Sequence, residues 1–221
     1  MELKDAIRKR QSIRAFKPDP VPKDILVKIM EDAIWGPSWG NTQPWEFTIV
    51  GGNAAKRLGK EFSNNYLDEV PKNPDIQMPE GWPDLHTSRY KDVGRELFKT
   101  LSIERKDKKK RDQHYINMFG FFGAPNVIYV YIDKELGTYS VFDVGIVTQN
   151  ISLLATDYSL GTCIEAAVVR YPDVVRKHLG IPEDKKLVIG IAIGYPDWDS
   201  PYNKYKSRRD NLDALVKWVD V

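Results

Sequence analysis

The sequence has almost no cysteine, because Cys163 is the only one among 221 residues. A single cysteine excludes an intrachain disulfide framework and any metal site built from several thiolates. Long apolar runs are lacking too: no segment approaches the ~20 apolar residues of a membrane-spanning helix. The opening MELKDAIRKRQ has no apolar region of the secretory type. We therefore expect a cytoplasmic protein with no membrane partner.

An excess of charge of one sign is also absent, since 33 Lys and Arg residues accompany 31 Asp and Glu residues, for a formal net charge of +2. Nucleic-acid-binding domains usually carry a clear basic excess, so we expect no nucleic-acid partner. The strongest basic run is RKDKKKR, at 105–111. No aromatic residue interrupts it for base stacking, and we interpret it as an exposed helix end or turn.

Several common catalytic motifs are missing. Neither GxGxxG after a strand nor GxxxxGK[ST] nor GxSxG occurs, which argues against a Rossmann site, a P-loop and a serine hydrolase elbow. His86, His114 and His178 are far apart in the chain, and there is no HExxH, so we expect no metal. Cys163 begins an apolar segment, and we interpret it as a small core residue.

The sequence does contain apolar residues at the spacings typical of helices and of strands. A first helix is predicted from the apolar stripe Leu3, Ala6 and Ile7, and a second is predicted to begin at Pro22. Another helix places Tyr90, Val93, Leu97 and Leu101 on one face. The segment 141–158 is apolar nearly all round, which predicts a helix buried on several sides, and a last helix is predicted at 210–219. Strands are predicted at 45–50, 126–132 and 187–195. No break in composition divides the chain, so we expect a single α+β domain, 1–221.

The segment from Ser63 to His86 differs from the rest, with many prolines and polar residues, scattered large aromatics and no clear period. Loops of this length inside a domain are more often functional than structural filler, which suggests a lid.

Four polar stretches remain, and the first is RQSIR at 10–14. If it is extended, Arg10, Ser12 and Arg14 lie on one side and Ile13 on the other. Two arginines with a hydroxyl between them suit a phosphate, because all three donate hydrogen bonds to its oxygens. The other stretches are GPSWGNTQPWEF at 36–47, whose Ser and Asn residues alternatively cap turns, YSLGTCIEA at 158–166, and YKSRRD at 205–210.

Taken in order, these stretches resemble the FMN-dependent nitroreductase family, which belongs with flavin reductases and iodotyrosine deiodinases. The resemblance covers almost the whole chain, and its weight comes from eight motifs in the same order. They are RxSxRxF from Arg10, PSxxNxQPW from Pro37, FFGAP from Phe121, DVGIVTQNISLLAT from Asp143, LGTCIEA from Leu160, LGIPED from Leu179, IAIGYP from Ile191, and the basic segment near the carboxyl end.

The resemblance implies a nitroreductase-like fold, with a central mixed or antiparallel sheet flanked by helices, in an intertwined homodimer. Each of its two clefts would bind one FMN between the subunits. Arg10 and Ser12 would contact the phosphate, and Arg14 would lie near the pyrimidine edge of the flavin. The full set of cofactor-binding residues that it implies is Arg10, Gln11, Ser12, Arg14, Pro37, Ser38, Trp39, Asn41, Gln43, Asn117, Cys163, Ile164, Glu165, Ala166, Lys206, Arg208 and Arg209.

Some roles within this set are more specific. Asn117 would hydrogen-bond the ring edge, and the backbone amides of Glu165 and Ala166 would face flavin N5. Which of Lys206, Arg208 and Arg209 contacts the phosphate stays open.

The implied activity is that of an FMN-dependent NAD(P)H oxidoreductase. NADH or NADPH would give a hydride to flavin N5, leave, and be replaced by a small aromatic acceptor such as a nitroaromatic or quinone. No side chain would act as a catalyst. The sequence departs from the family at Gly120, where some relatives have a lysine facing the flavin, and in a long insertion at about 63–115, helix included, where compact relatives are shorter. Tyr66 and Trp82 either cover a stacked acceptor or anchor their loop.

Three alternatives stay open from the sequence. A flavin-dependent reductive dehalogenase of the iodotyrosine deiodinase type would use the lid to grip an amino-acid zwitterion. A non-enzymatic flavoprotein would bind FMN without being reduced by NADH or NADPH. A nucleic-acid-binding protein would use the run from Lys106 to Arg111 and contain no flavin.

Overall fold

The computed structural model describes all 221 residues, Met1–Val221. The elements in chain order are α1 (Leu3–Lys9), α2 (Lys23–Ala33), β1 (Glu46–Gly51), α3 (Gly52–Leu67), α4 (Asp84–Thr100), α5 (Lys108–Phe119), β2 (Asn126–Asp133), α6 (Thr138–Asp157), β3 (Gly161–Glu165), α7 (Pro172–Leu179) and β4 (Lys185–Gly194). The predicted α+β class is confirmed. None of the helices combines the length and the apolar content needed to cross a membrane.

One antiparallel sheet, in the order β1-β2-β4-β3, forms the centre of the molecule. Its middle strands, β2 and β4, are buried because helices cover both faces, which explains the continuous apolar run that predicted β2. On one face, Phe62, Phe119 and Val175 join α3, α5 and α7 to the sheet. On the other face, Ile29 and Val147 join α2 and α6 to it.

Helix α6 has the predicted apolar character, but within this chain it is buried mainly toward α2 and the sheet. Val144, Val147 and Ile151 are at most 1% exposed, whereas Tyr139 and Phe142 are 64% and 66% exposed. The helix is predicted to be buried on several sides, in a domain centre or at a subunit interface, and the single chain does not bury its second face, so the subunit-interface alternative stays a prediction. Its exposed aromatic side chains form an apolar surface.

The predicted helix at 210–219 is wrong. Only a short 3₁₀ turn, Leu212–Ala214, forms there, and Leu212, Leu215, Trp218 and Val219 are all exposed. A helix of this length is marginal in water unless its apolar face is buried against another element. Nothing in the chain covers that face, so the periodicity alone does not produce a helix.

The irregular segment is shorter than its predicted limits, Ser63 to His86. Helix α3 continues to Leu67 and α4 begins at Asp84, which leaves only 68–83 between them. The polar residues that mask the helical period belong to α3, where the Ser63 hydroxyl donates to the Gly59 carbonyl oxygen at 2.8 Å. Helix α2 likewise begins one residue later than predicted, with Pro22 at its N-cap.

The first half of the 68–83 segment is fixed to the body of the protein. The Asp75 carboxylate accepts hydrogen bonds from Nη2 of buried Arg176 at 2.7 Å and from the Leu187 backbone N–H at 2.8 Å. The Asn73 N–H donates to the Arg170 carbonyl oxygen at 3.1 Å. The second half reaches α4, where the Trp82 and Tyr90 rings lie 4.9 Å apart.

Tyr66 anchors α3 to α5. Its hydroxyl donates to Asp112 at 3.0 Å, and its ring lies 5.3 Å from Tyr115 and 5.6 Å from Phe119. The basic run at 105–111 ends in the first turn of α5, which Asp107 caps by accepting from the Lys110 N–H at 3.0 Å. Its lysines are exposed, as the interpretation as a helix end predicts.

Candidate functional site

The RQSIR segment is extended and lies along the edge of the sheet beside β3. Ser12 pairs with Thr162 in a parallel bridge, and the Ile13 N–H donates to the Thr162 carbonyl oxygen at 2.9 Å. Ile13 is 2% exposed, and its side chain occupies space that a Cβ on Gly161 would fill, only 2.4 Å away. The buried Ile13 agrees with the extended alternative, and Ser12 and Arg14 on either side of it are partly exposed.

Asn203 fastens this segment from its other side. Its amide Nδ2 donates to the carbonyl oxygens of Ala15 at 2.8 Å and Asp197 at 2.7 Å. Its Oδ1 accepts from the Arg14 N–H at 2.7 Å, and its backbone oxygen accepts from Gln11 Nε2 at 2.9 Å. The sequence analysis missed Asn203, because an asparagine in a turn-rich stretch gives no signal of contacts to a segment nearly 190 residues away.

Four basic residues, Arg8, Arg10, Lys206 and Arg209, line a cleft of about 310 Å³ together with Gln11. None of them forms an ion pair with a carboxylate. Burial and the nearby charge of Arg209 lower the pKa of Arg10. Like charges gathered without an acid repel one another, so this cluster, called the basic cleft below, favours a bound anion.

The structure distinguishes among the carboxyl-terminal basic residues that could contact a phosphate. Lys206 and Arg209 line the basic cleft, and Lys206 Nζ donates to the Arg8 carbonyl oxygen. Arg208 lines only a neighbouring cleft of about 870 Å³, near Arg89 and Asp210. Their positions therefore favour Lys206 and Arg209 over Arg208 as the residues that would bind an anion together with Arg10.

Arg14 lines a second, larger cleft of about 910 Å³ with Asn117, Gly120 and Tyr202. The Asn117 side chain is held at both ends. Its Oδ1 accepts from Gln113 Nε2 at 2.9 Å, and its Nδ2 donates to the Tyr202 hydroxyl at 3.2 Å. The structure therefore brings Arg14 and Asn117 to one cleft and fixes the orientation of the Asn117 amide.

A stacked histidine supports this arrangement. The Tyr202 and His114 rings are nearly parallel, with centroids 5.8 Å apart. Burial, with a smaller effect of the Arg14 charge, lowers the pKa of His114 to about 4, so the imidazole is neutral at physiological pH. Sequence reasoning missed both residues, since it considered His114 only as a metal ligand.

The last residues of β3 follow Thr162, the residue that forms the bridge with Ser12. Cys163 and Glu165 point into the core, each 4% exposed, whereas Ile164 lies on the other face and is 43% exposed. Burial raises the pKa of the Cys163 thiol, which agrees with its interpretation as a core residue and not as a nucleophile. Ala166 begins the 3₁₀ turn Ala166–Val169 that follows the strand.

The loop at 36–43 lies apart from these residues. The Trp39 N–H donates to Asp143 Oδ2 at 3.2 Å, and the Trp39 ring lies edge-on to Tyr139 at 4.3 Å, so the loop is held on α6. Ser38 Oγ accepts from the Gln43 N–H at 2.9 Å, which is the turn-capping alternative. Within one chain, the contacts do not bring the following predicted residues to Arg10 or Arg14: Pro37, Ser38, Trp39, Asn41 and Gln43.

The family model of the nitroreductase family matches residues 7–195, which is most of the chain. The chain belongs to this family. It is 30% identical over 213 residues to the nitroreductase NfnB of Mycolicibacterium smegmatis, covering 96% of this chain and 90% of that protein. It is 26% identical over 213 residues to a 4-nitrobenzoate reductase of Pseudomonas putida, covering 96% and 93%.

The same similarity extends to three dimensions. The crystal structure of the FMN and NADPH-dependent nitroreductase NfnB from sphigopyxis sp. strain HMH superposes with a TM-score of 0.96 at 30% identity, covering 100% of both chains. The predicted nitroreductase-like fold is thereby confirmed.

We expect Asn203→Ala to lower the free energy of unfolding by about 3 kcal/mol, because three side-chain hydrogen bonds are lost and the Arg14 N–H is left without a partner. Urea denaturation measures the change. Asn211→Ala is the control, since Asn211 is exposed and its side chain makes no hydrogen bond. Equal stability of the two variants would contradict the role assigned to Asn203.

Proposed function

We propose that this chain is an FMN-dependent NAD(P)H oxidoreductase that reduces nitroaromatics, quinones or related conjugated acceptors. The observation that carries the proposal is the basic cleft, where Arg10, Lys206 and Arg209 meet without a carboxylate. Relatives described as nitroreductases match along nearly their whole length, which supports the same conclusion. When bound, FMN would supply the hydride chemistry, taking a hydride from the nicotinamide and passing it to the acceptor.

The donor set fits a flavin mononucleotide. The basic cleft suits its phosphate, because guanidinium forks donate to phosphate oxygens in pairs and Ser12 adds a hydroxyl on the same segment. Arg14, two residues farther along the extended segment, lines the next cleft with Asn117. One strand-like segment thus presents phosphate donors at one end and a cation for the ring at the other.

Arg14 and Asn117 would bind the pyrimidine edge of the ring. No carboxylate neutralises Arg14, whose only side-chain hydrogen bond is a long one, 3.4 Å, to the Ser12 carbonyl oxygen. A fixed, unpaired cation favours negative charge on a group bound beside it. Because Gly120 provides no lysine, Arg14 would carry this role without a second cation from that position.

We also propose a homodimer in which the 36–43 loop of a second copy completes each cleft. Two observations support it. The loop lies on α6 and away from the basic cleft of its own chain. The exposed apolar side chains that a partner would cover are Trp35, Trp39, Tyr139, Phe142, Leu212, Leu215 and Trp218. In such a dimer the 210–219 segment would gain the covering surface that one chain lacks.

We expect Arg10→Ala to weaken FMN retention by at least tenfold, because a charge-assisted contact of about 1.5–3 kcal/mol is lost. The dissociation constant is measured by titrating the apoprotein with FMN and following the quenching of flavin fluorescence. Arg57→Ala is the control, since Arg57 is an exposed arginine that lines neither cleft and whose side chain makes no hydrogen bond. Equal affinity of the two variants would contradict the phosphate assignment.

For the acceptor, we expect NADPH-dependent turnover of 4-nitrobenzoate and none of 3-iodotyrosine. Arg14, Lys56 and Lys60 line the larger cleft and make it electropositive, which favours a carboxylated aromatic. Absorbance of NADPH and chromatography of the products measure both reactions. Turnover of iodotyrosine alone would support the dehalogenase alternative, and turnover of neither would support a flavoprotein without this activity.

A further inference from the structure

The proposed reaction gives no role to the Glu165 side chain. The environment of this carboxyl group is nevertheless unusual. Glu165 is 4% exposed, and neither of its carboxyl oxygens has a hydrogen-bond partner. The hydroxyl of Tyr129, a fully buried residue, also lacks a partner. Buried polar atoms are nearly always satisfied, so two such groups on the strands that flank β4 require a physical reason.

The sheet register places these two side chains on either side of one glycine. Gly190 of β4 is opposite Tyr129 of β2 and also opposite Glu165 of β3. Residues directly opposite in neighbouring strands point to the same face. A Cβ on Gly190 would lie 2.3 Å from Val168 Cγ2 and 3.7 Å from Tyr129 Cε1, so the glycine leaves room for the apolar Val168 side chain between these two residues.

The groups that face Glu165 determine its charge. Arg14, from the RQSIR segment, is the only cation that acts on it, and it forms no ion pair with the carboxyl. Tyr129 and Cys163 are the other titratable neighbours, and burial raises the pKa of each. Burial raises the pKa of Glu165 well above its ordinary value, and the charge of Arg14 opposes this only partly. An unpaired carboxylate in such a place costs several kcal/mol, on the order of the penalty for one buried ion.

We propose that the Glu165 side chain serves the reaction as an uncharged carboxylic acid, which keeps negative charge away from the strand end that faces the flavin. This inference rests on the proposed function. A bound flavin gains negative charge on reduction, which Arg14 favours and an ionised Glu165 would oppose. Glu165 is therefore a positioning residue that acts through its charge state, and its side chain does not touch the reacting atoms.

Infrared spectroscopy tests the charge state directly. The parent at pH 7 is expected to show the carbonyl band of a buried protonated carboxylic acid, which shifts when glutamate is labelled with carbon-13. Glu165→Gln should remove the band, and the control Glu183→Gln, at an exposed glutamate, should leave it. A parent spectrum without this band would overturn the proposal, and that measurement requires no variant to fold.

The flavin's reduction potential tests the consequence. At pH 7, Glu165→Gln should leave the potential unchanged, because an uncharged acid is replaced by an uncharged amide. Above the pH at which the band disappears, the potential of the parent should fall below that of the variant. A higher potential in Glu165→Gln already at pH 7 would show that the parent carboxyl is ionised, and would overturn the proposal.

Stability provides a test that needs no cofactor. Because the folded state raises the pKa of Glu165, unfolding releases a proton above the ordinary glutamate pKa of about 4.3. The parent should therefore lose stability relative to Glu165→Gln as the pH rises, by up to about tenfold in the unfolding constant per pH unit. A constant difference from pH 5 to 8 in the apoprotein would overturn the proposal, whereas failure to bind FMN would contradict the proposed function alone.

Discussion

The candidate site depends on the attachment of the RQSIR segment to the edge of β3. The Ile13 N–H bonds to the Thr162 carbonyl oxygen, and Gly161 leaves the space that the Ile13 side chain fills. Asn203 then holds this segment and the adjoining Ala15 with three hydrogen bonds. This attachment sets the basic cleft, Arg14 and the end of β3 beside one another, so the proposed cofactor contacts of Arg10 and Arg14 follow from it.

The charged groups of the RQSIR segment and of the end of β3 follow one pattern. The basic cleft and Arg14 are cations without carboxylate partners, and the one carboxyl group near the end of β3, Glu165, is buried where ionisation is costly. Positive charge is therefore fixed and negative charge is suppressed along the whole length of the segment. Such preorganisation suits a ligand that has a permanent anion at one end and gains negative charge at the other.

The sequence predicts the strands and helices that local apolar patterns determine. It does not predict side-chain roles that depend on residues far apart in the chain. The strands β2 and β4, helix α6 and the extended RQSIR segment follow from apolar periodicity, because their apolar residues are buried within this chain. The 210–219 helix fails because its apolar face has no cover here. Asn203, Tyr202 and His114 were missed since their roles arise from residues far away in the chain, which no local motif records.

The most direct test of a nicotinamide-reducible flavoprotein is the visible spectrum of the freshly purified protein before and after NADPH, then NADH, is added without oxygen. We predict flavin absorption bands that bleach with at least one of the two nucleotides. A colourless protein that also fails to take up added FMN would contradict it.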